Sequence, residues 1–155
     1  MPIIAVLAIV VLTLRRRNWA PVLIIGAAGV GSLLMTVVGK GLVARVRPGF
    51  NDAVPPFEHS PSFPSGHTLN ATAIAGAIAY MLLLRQSSRV VQVATIAVAV
   101  VFAVSIGISR IYLGHHWFTD VLVAWMLGVG WLAVVITAHR LYLTARHRQQ
   151  TALAT

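Results

Sequence analysis

The sequence contains no cysteine. A disulfide framework, a thiolate nucleophile and a thiolate metal site are therefore excluded. Acidic residues are nearly as scarce: Asp52, Glu58 and Asp120 are the three in 155 residues, against twelve lysines and arginines, and the formal charge is +9. Charged residues make up 10% of the chain, where a soluble domain carries about 25%. So little charge excludes a globule with a water-facing polar surface, and a 58% hydrophobic content excludes disorder. Period-two alternation is also missing, which speaks against a membrane β-barrel. The length suits one domain, with no internal repeat. The basic residues fall between long apolar runs, so a bilayer accounts for them better than nucleic acid does.

A membrane-spanning helix needs about 20 mostly apolar residues at about 1.5 Å rise each. Four segments meet that description: residues 19–39, 68–84, 90–108 and 120–138. A fifth apolar stretch, residues 2–14, is short for a span. It lacks the basic start and small-residue cleavage site of a signal peptide. It reads as an abbreviated span or as the tail of a longer natural chain. The fold expected is an all-α, polytopic transmembrane bundle forming a single domain over residues 1–155.

The connections alternate between two sides. One side receives Arg15, Arg16, Arg17, Arg85, Arg89, Arg140, Arg146 and Arg148, the last three in a basic tail over residues 139–155. The other receives Lys40, Arg45, Arg47, Arg110 and all three acids, in a proline-rich loop (40–67) and a short polar loop (109–119). Short cytoplasmic loops collect Lys and Arg. The first side is therefore expected in the cytoplasm and the second outside it.

The outward side also holds the residues with chemical potential, in three clusters. Lys40 and Arg47-Pro48 form the first, Pro64-Ser65-Gly66-His67 the second, and Ser109-Arg110 with His116 and Asp120 the third. Lys40, Arg47 and Arg110 can converge on one dianion, since guanidinium forks pair with phosphate oxygens and lysine adds a point charge. Ser65-Gly66 opens a helix, where backbone N–H groups favour an anion. His67 and His116 can serve nucleophilic or acid–base chemistry. His116 and Asp120 are spaced i, i+4, so a helix starting near His116 would place them on one face.

The pattern Lys-x6-Arg-Pro, Pro-Ser-Gly-His and Ser-Arg-x5-His-x3-Asp resembles the type 2 phosphatidic acid phosphatase superfamily, which includes membrane lipid phosphatases, glucose-6-phosphatase and vanadium haloperoxidases. The resemblance extends from about residue 19 to 138. It implies a hydrolase needing no metal or other cofactor, acting on a lipid phosphomonoester or isoprenoid diphosphate of the phosphatidate, phosphatidylglycerol phosphate or undecaprenyl diphosphate type. It further implies that His116 attacks phosphorus to form a phosphohistidine and that Asp120 orients it. His67 would protonate the leaving oxygen. Lys40, Arg47, Ser65, Gly66 and Arg110 would hold the phosphoryl oxygens, with Pro48, Pro64 and Ser109 in support. Lipid phosphatases of this family typically have six spans, more than are counted here.

The partners expected are the bilayer and a lipid phosphate, not nucleic acid, in a multi-pass protein of the cell membrane with its active site on the extracytoplasmic face. Two other readings compete: a phosphatase of a soluble phosphate ester, and a non-catalytic lipid-binding or transport protein. A transporter would show polar or broken helices at mid-membrane, whereas these spans are nearly uncharged. His115 is expected to be an interfacial polar residue beside the nucleophile. Asp52, Glu58 and His59 could bind a metal but read better as solvated loop residues. Trp19, Trp117, Trp125 and Trp131 read as interfacial anchors or packing residues.

Overall fold

Among the described residues, five helices form where the apolar runs lie: α1 (Pro2–Arg16), α2 (Ala20–Val43), α3 (Gly66–Leu83), α4 (Arg89–Tyr112) and α5 (Phe118–Ala152). The computed structural model describes residues 2–49 and 53–153, with no strand among them. Asp52 lies outside the described residues.

Local chemistry sets the helix ends. Pro21 occupies the first turn of α2, where its missing N–H costs nothing. At the other end Ala44 turns left-handed at φ 45° and donates its N–H to the Lys40 carbonyl at 3.1 Å. Pro48 then disfavours helix at Arg47. α3 follows Pro64, with Ser65 extended at its N-cap. α4 stops at Leu113, and Gly114 takes φ 69° to turn the chain toward α5.

α3 is the centre of the bundle. It packs against α2, α4 and α5, while α1 packs against α2. Ile24, Ile25, Ala28, Ala73, Ile74, Ala77, Met81 and Val135 form the core they share. Glycines allow the helices to approach. A Cβ at Gly107 would lie 2.3 Å from Trp125, and one at Gly128 would lie 2.7 Å from Thr72. Trp125 and Trp131 are packing residues, and their indole N–H groups donate to the carbonyls of Ala103 at 3.1 Å and Ala27 at 3.0 Å. Trp19 is 74% exposed.

Among the described residues, three helices are long and apolar enough to cross a membrane: α2, α4 and α5. The expected fourth, α3, is not among them. Its first two turns carry His67, Thr68, Asn70 and Thr72, and ten of its residues are buried by its neighbours. It is shielded by protein and needs less hydrocarbon character. The outer faces are the reverse: Leu23, Val37, Val98, Val101 and Met126 stand exposed, an apolar surface far larger than water tolerates. The basic tail is helical. α5 continues for 35 residues to Ala152, about 52 Å at 1.5 Å per residue.

Candidate active site

The C-terminal ends of α2 and α4 and the N-terminal ends of α3 and α5 lie together, so the segments 44–65 and 113–117 meet at one end of the bundle. Two close approaches fix this end. Gly39 lies where a Cβ would be 2.6 Å from Pro64, and Gly66 where one would be 2.8 Å from Thr36. The loops are latched by backbone bonds from Val54 N–H to Leu113 O (3.1 Å), Ser62 N–H to Arg45 O (2.7 Å) and Ser65 N–H to Asp120 O (3.2 Å).

A cavity of about 290 Å³ opens there, and Lys40, Gly66, His67 and His116 line it. Glu58, Ser60 and Asn70 line it too, and the side-chain oxygen of Asn70 is buried with no hydrogen-bond partner among the described residues. The three expected cations meet on one loop. Lys40 Nζ donates to Ser60 Oγ at 3.0 Å and to the Pro61 carbonyl. Arg47 donates to Glu58 Oε2 (2.7 Å), Ser60 O (2.7 Å) and His115 O (2.6 Å). Arg110 donates to Glu58 Oε1, and its buried Nε has no partner among the described residues. Burial alone would raise the Glu58 pKa, but Arg47 and Arg110 outweigh it and hold the carboxyl below the usual range.

His116 and Asp120 are brought together, though not by a shared helix face. α5 begins at Phe118, after His116, and Asp120 sits in its first turn. From there its fully buried carboxylate reaches back toward His116. Oδ2 accepts from the Trp117 N–H at 3.0 Å and from Ser62 Oγ at 2.5 Å, and Oδ1 accepts from Arg45 at 2.9 Å. His116 Nδ1 stands 3.7 Å from Oδ2 and 3.4 Å from Ser62 Oγ. The other ring nitrogen, Nε2, is 3.4 Å from an Arg47 guanidinium nitrogen. Burial first, and then Arg47, push the His116 pKa down to about 4. Its imidazole is therefore neutral at pH 7, with an unprotonated nitrogen.

The remaining expected residues are dispersed. Ser65 is fully buried and its hydroxyl pairs with Thr68 at 2.9 Å, so Gly66, not the Ser65 side chain, faces the cavity. Ser109 bonds back to the Ile106 carbonyl within α4. Pro64 packs on Gly39, and Pro48 lines a separate small recess beside Arg47. His115 is not an interfacial residue. It is buried, and its Nε2 donates to the Val54 carbonyl at 2.7 Å, tying the two loops together. Glu58 is not a solvated loop residue but the shared partner of two arginines. Arg45, Ser60 and Ser62 were missed by sequence reasoning. Arg45 alone left a signal there, as a fourth cation between Lys40 and Arg47 on the side poor in positive charge.

An apolar helical bundle with a cavity lined by Lys40, His67 and His116 at the ends of its helices defines a membrane protein. The chain belongs to the PAP2 superfamily, whose family model matches residues 19–143. It is 40% identical over 119 residues to phosphatidylglycerophosphatase B of Bacillus subtilis, covering 74% of this chain and 55% of that protein. It is 31% identical over 135 residues to the undecaprenyl-diphosphatase of Sulfolobus acidocaldarius, covering 84% of this chain and 59% of that one. The chain thus spans little more than half the length of these curated relatives. The crystal structure of a transmembrane PAP2 type phosphatidylglycerolphosphate phosphatase from Bacillus subtilis superposes with a TM-score of 0.80 at 34% identity, over 88% of this chain and 67% of that one.

Proposed function

We propose that this protein is an integral membrane phosphatase that hydrolyses a lipid phosphomonoester or an isoprenoid diphosphate through a phosphohistidine. The observation that carries the reading is the single cavity onto which Lys40, Gly66, His67 and His116 open, with Arg47 and Arg110 converging on one anionic group at its wall. Both named relatives act on phosphorylated lipids, which supports the substrate class.

In this reading His116 Nε2 attacks phosphorus while Nδ1 keeps its proton directed toward Asp120 and Ser62. That tautomer is assigned from the hydrogen-bond network. The N–P bond forms as the P–O bond to the leaving group breaks, and His67 gives its proton to the departing oxygen. Water then attacks phosphorus, His67 takes the water's proton, and orthophosphate leaves with His116 restored. Lys40, Arg47, Arg110 and the Gly66 N–H hold the equatorial oxygens. Phosphoryl transfer depends mainly on such positioning and charge stabilisation. A catalytic metal is not needed. The acid lining the cavity is already paired with two guanidinium groups.

The arginines at the opposite end of the bundle support a site on the extracytoplasmic face. There a phosphate can sit at headgroup depth while its chains stay in hydrocarbon. Extraction, at about 0.8 kcal/mol per CH₂, is avoided.

Phosphate release tests the reading, using phosphatidylglycerophosphate, phosphatidate, undecaprenyl diphosphate and glucose-6-phosphate with EDTA present. Release from one or more lipids, little from the sugar phosphate, and none by His116→Ala is the expected result. Activity that EDTA abolishes and Mg²⁺ restores would overturn the metal-free mechanism.

A further inference from the structure

We propose that Glu58 is a resident carboxylate that fills the phosphoryl seat of the empty enzyme and must be exchanged for the substrate's phosphate. The proposal rests on the reading of this cavity as a phosphate site. The two Glu58 oxygens are divided between cations from different parts of the chain: Oε2 takes Arg47, after α2, and Oε1 takes Arg110, in the last turn of α4. Oε1 also lies 4.0 Å from His67 Nδ1. A phosphoryl group held by the same guanidinium groups would have to place its oxygens where these now sit.

The neighbours of Glu58 support the same exchange. Ser60 and Pro61 accept from Lys40, and Ser60 accepts from Arg47, so one loop segment occupies donors of all three cations. That segment has no regular structure. It is latched at both ends, by the Val54 N–H on Leu113 O and by the Ser62 N–H on Arg45 O. Residues 55–61 can therefore withdraw while both latches stay closed.

Charge gives the exchange a purpose. Once the carboxylate has left, the three cations carry about +3 by formal count, which a phosphate dianion reduces to about +1 and a monoanion only to about +2. The bilayer presents phosphodiester headgroups, which are monoanionic at the phosphate, in great excess over any phosphomonoester. Displacing Glu58 costs the same for every anion, so all affinities fall by one factor. A dianion retains useful affinity after that loss. A phosphodiester is pushed beyond the concentration at which the membrane offers it. Glu58 thus lowers occupancy of the seat by every anion, and so keeps it from being filled by ordinary lipid.

Orthophosphate binding to the full chain in detergent micelles, followed by calorimetry, tests this without requiring turnover. Glu58→Gln and Glu58→Ala, each checked for a wild-type melting profile, should bind orthophosphate about ten- to hundredfold tighter than wild type, the factor expected from one competing charge-assisted contact. In vesicles, raising the phosphatidylglycerol fraction should raise KM for Glu58→Gln and leave wild type unchanged. Wild-type binding that the variants match or weaken overturns the exchange and leaves the phosphate seat standing. Binding by neither protein overturns both. Native protein gives a further check: saturating orthophosphate should speed hydrogen exchange of amides 57–60, and unchanged or slower exchange would overturn the proposal even if no variant folds.

Discussion

His116 is buried against Arg47, and its two ring nitrogens face different partners. With its pKa pushed down to about 4, it stays neutral across the physiological range, as a nucleophile must. Stability and the neutral nucleophile are both lost as pH falls. Between about pH 6.5 and 4 the unfolded chain takes up a proton that the folded chain refuses, so folding weakens as pH falls through that window. In histidine-labelled protein, the imidazole signal missing from His116→Gln should titrate near pH 4, and Arg47→Gln should raise that midpoint. A wild-type midpoint at 6.5 or above would contradict the burial and charge argument. The two histidines should also separate kinetically. His116→Ala should lose the phosphoenzyme altogether. His67→Ala should slow an alkyl phosphate by about 10²–10⁴-fold, the usual worth of acid–base catalysis, and slow an aryl phosphate with a good leaving group far less. Equal losses on both substrates would remove His67 from the role of acid. These residues were legible in the sequence because three spaced clusters carried them. Glu58 and Ser62 were not, since neither belongs to a cluster and a loop has no periodicity to show which way a side chain faces.

At the scale of helices, hydropathy located all five described elements, though not every bound. α3 reads as a span from its Ala and Ile content; its polar first turns, buried among neighbouring helices, serve the cavity. α5 was expected to end near residue 138, where the apolar run stops. Leu141, Ala145, Gln149 and the intervening arginines are good helix formers, so the helix continues although its hydrophobic stripe does not. How closely the helices pack was invisible, because glycine reads the same whether it faces lipid or a neighbour. Gly128 and Gly130 on α5 separate the two cases. A Cβ at Gly128 meets Thr72 at 2.7 Å and the Leu69 carbonyl oxygen at 3.3 Å, while one at Gly130 meets nothing within 4 Å. Gly130→Ala should be stabilising by about 0.5–1 kcal/mol through helix entropy. Gly128→Ala gains the same term but should lose about 1–3 kcal/mol to overpacking against α3. Thermal unfolding in one detergent should therefore move the two midpoints in opposite directions. Equal upward shifts would mean that the α3–α5 contact is looser than the structure shows.

For the whole molecule, charge and chemistry sit at opposite ends. Arg85 and Arg89 flank the α3–α4 turn, and Arg17 lies between α1 and α2. Arg140, Arg146 and Arg148 lie on the last third of α5. At about 52 Å, α5 exceeds the roughly 30 Å hydrocarbon core, so its basic end projects beyond the membrane on that side. The candidate site occupies the other end, where the cations are already engaged: Lys40, Arg47 and Arg110 by the segment 58–61 and Arg45 by Asp120. Eight arginines at the opposite end outnumber Lys40, Arg45, Arg47 and Arg110 at the site end, so the arginine-rich end should face the cytoplasm. A chain without cysteine allows a direct test by single-cysteine labelling in intact cells. Gly49→Cys lies at the site end in open space, with nothing within 4 Å of the added Cβ, and Ser87→Cys lies exposed in the α3–α4 turn. An impermeant maleimide should label the first before lysis and the second only after it. The reverse order would invert the topology and require the substrate to come from the cytoplasmic leaflet, with the cavity geometry left unchanged.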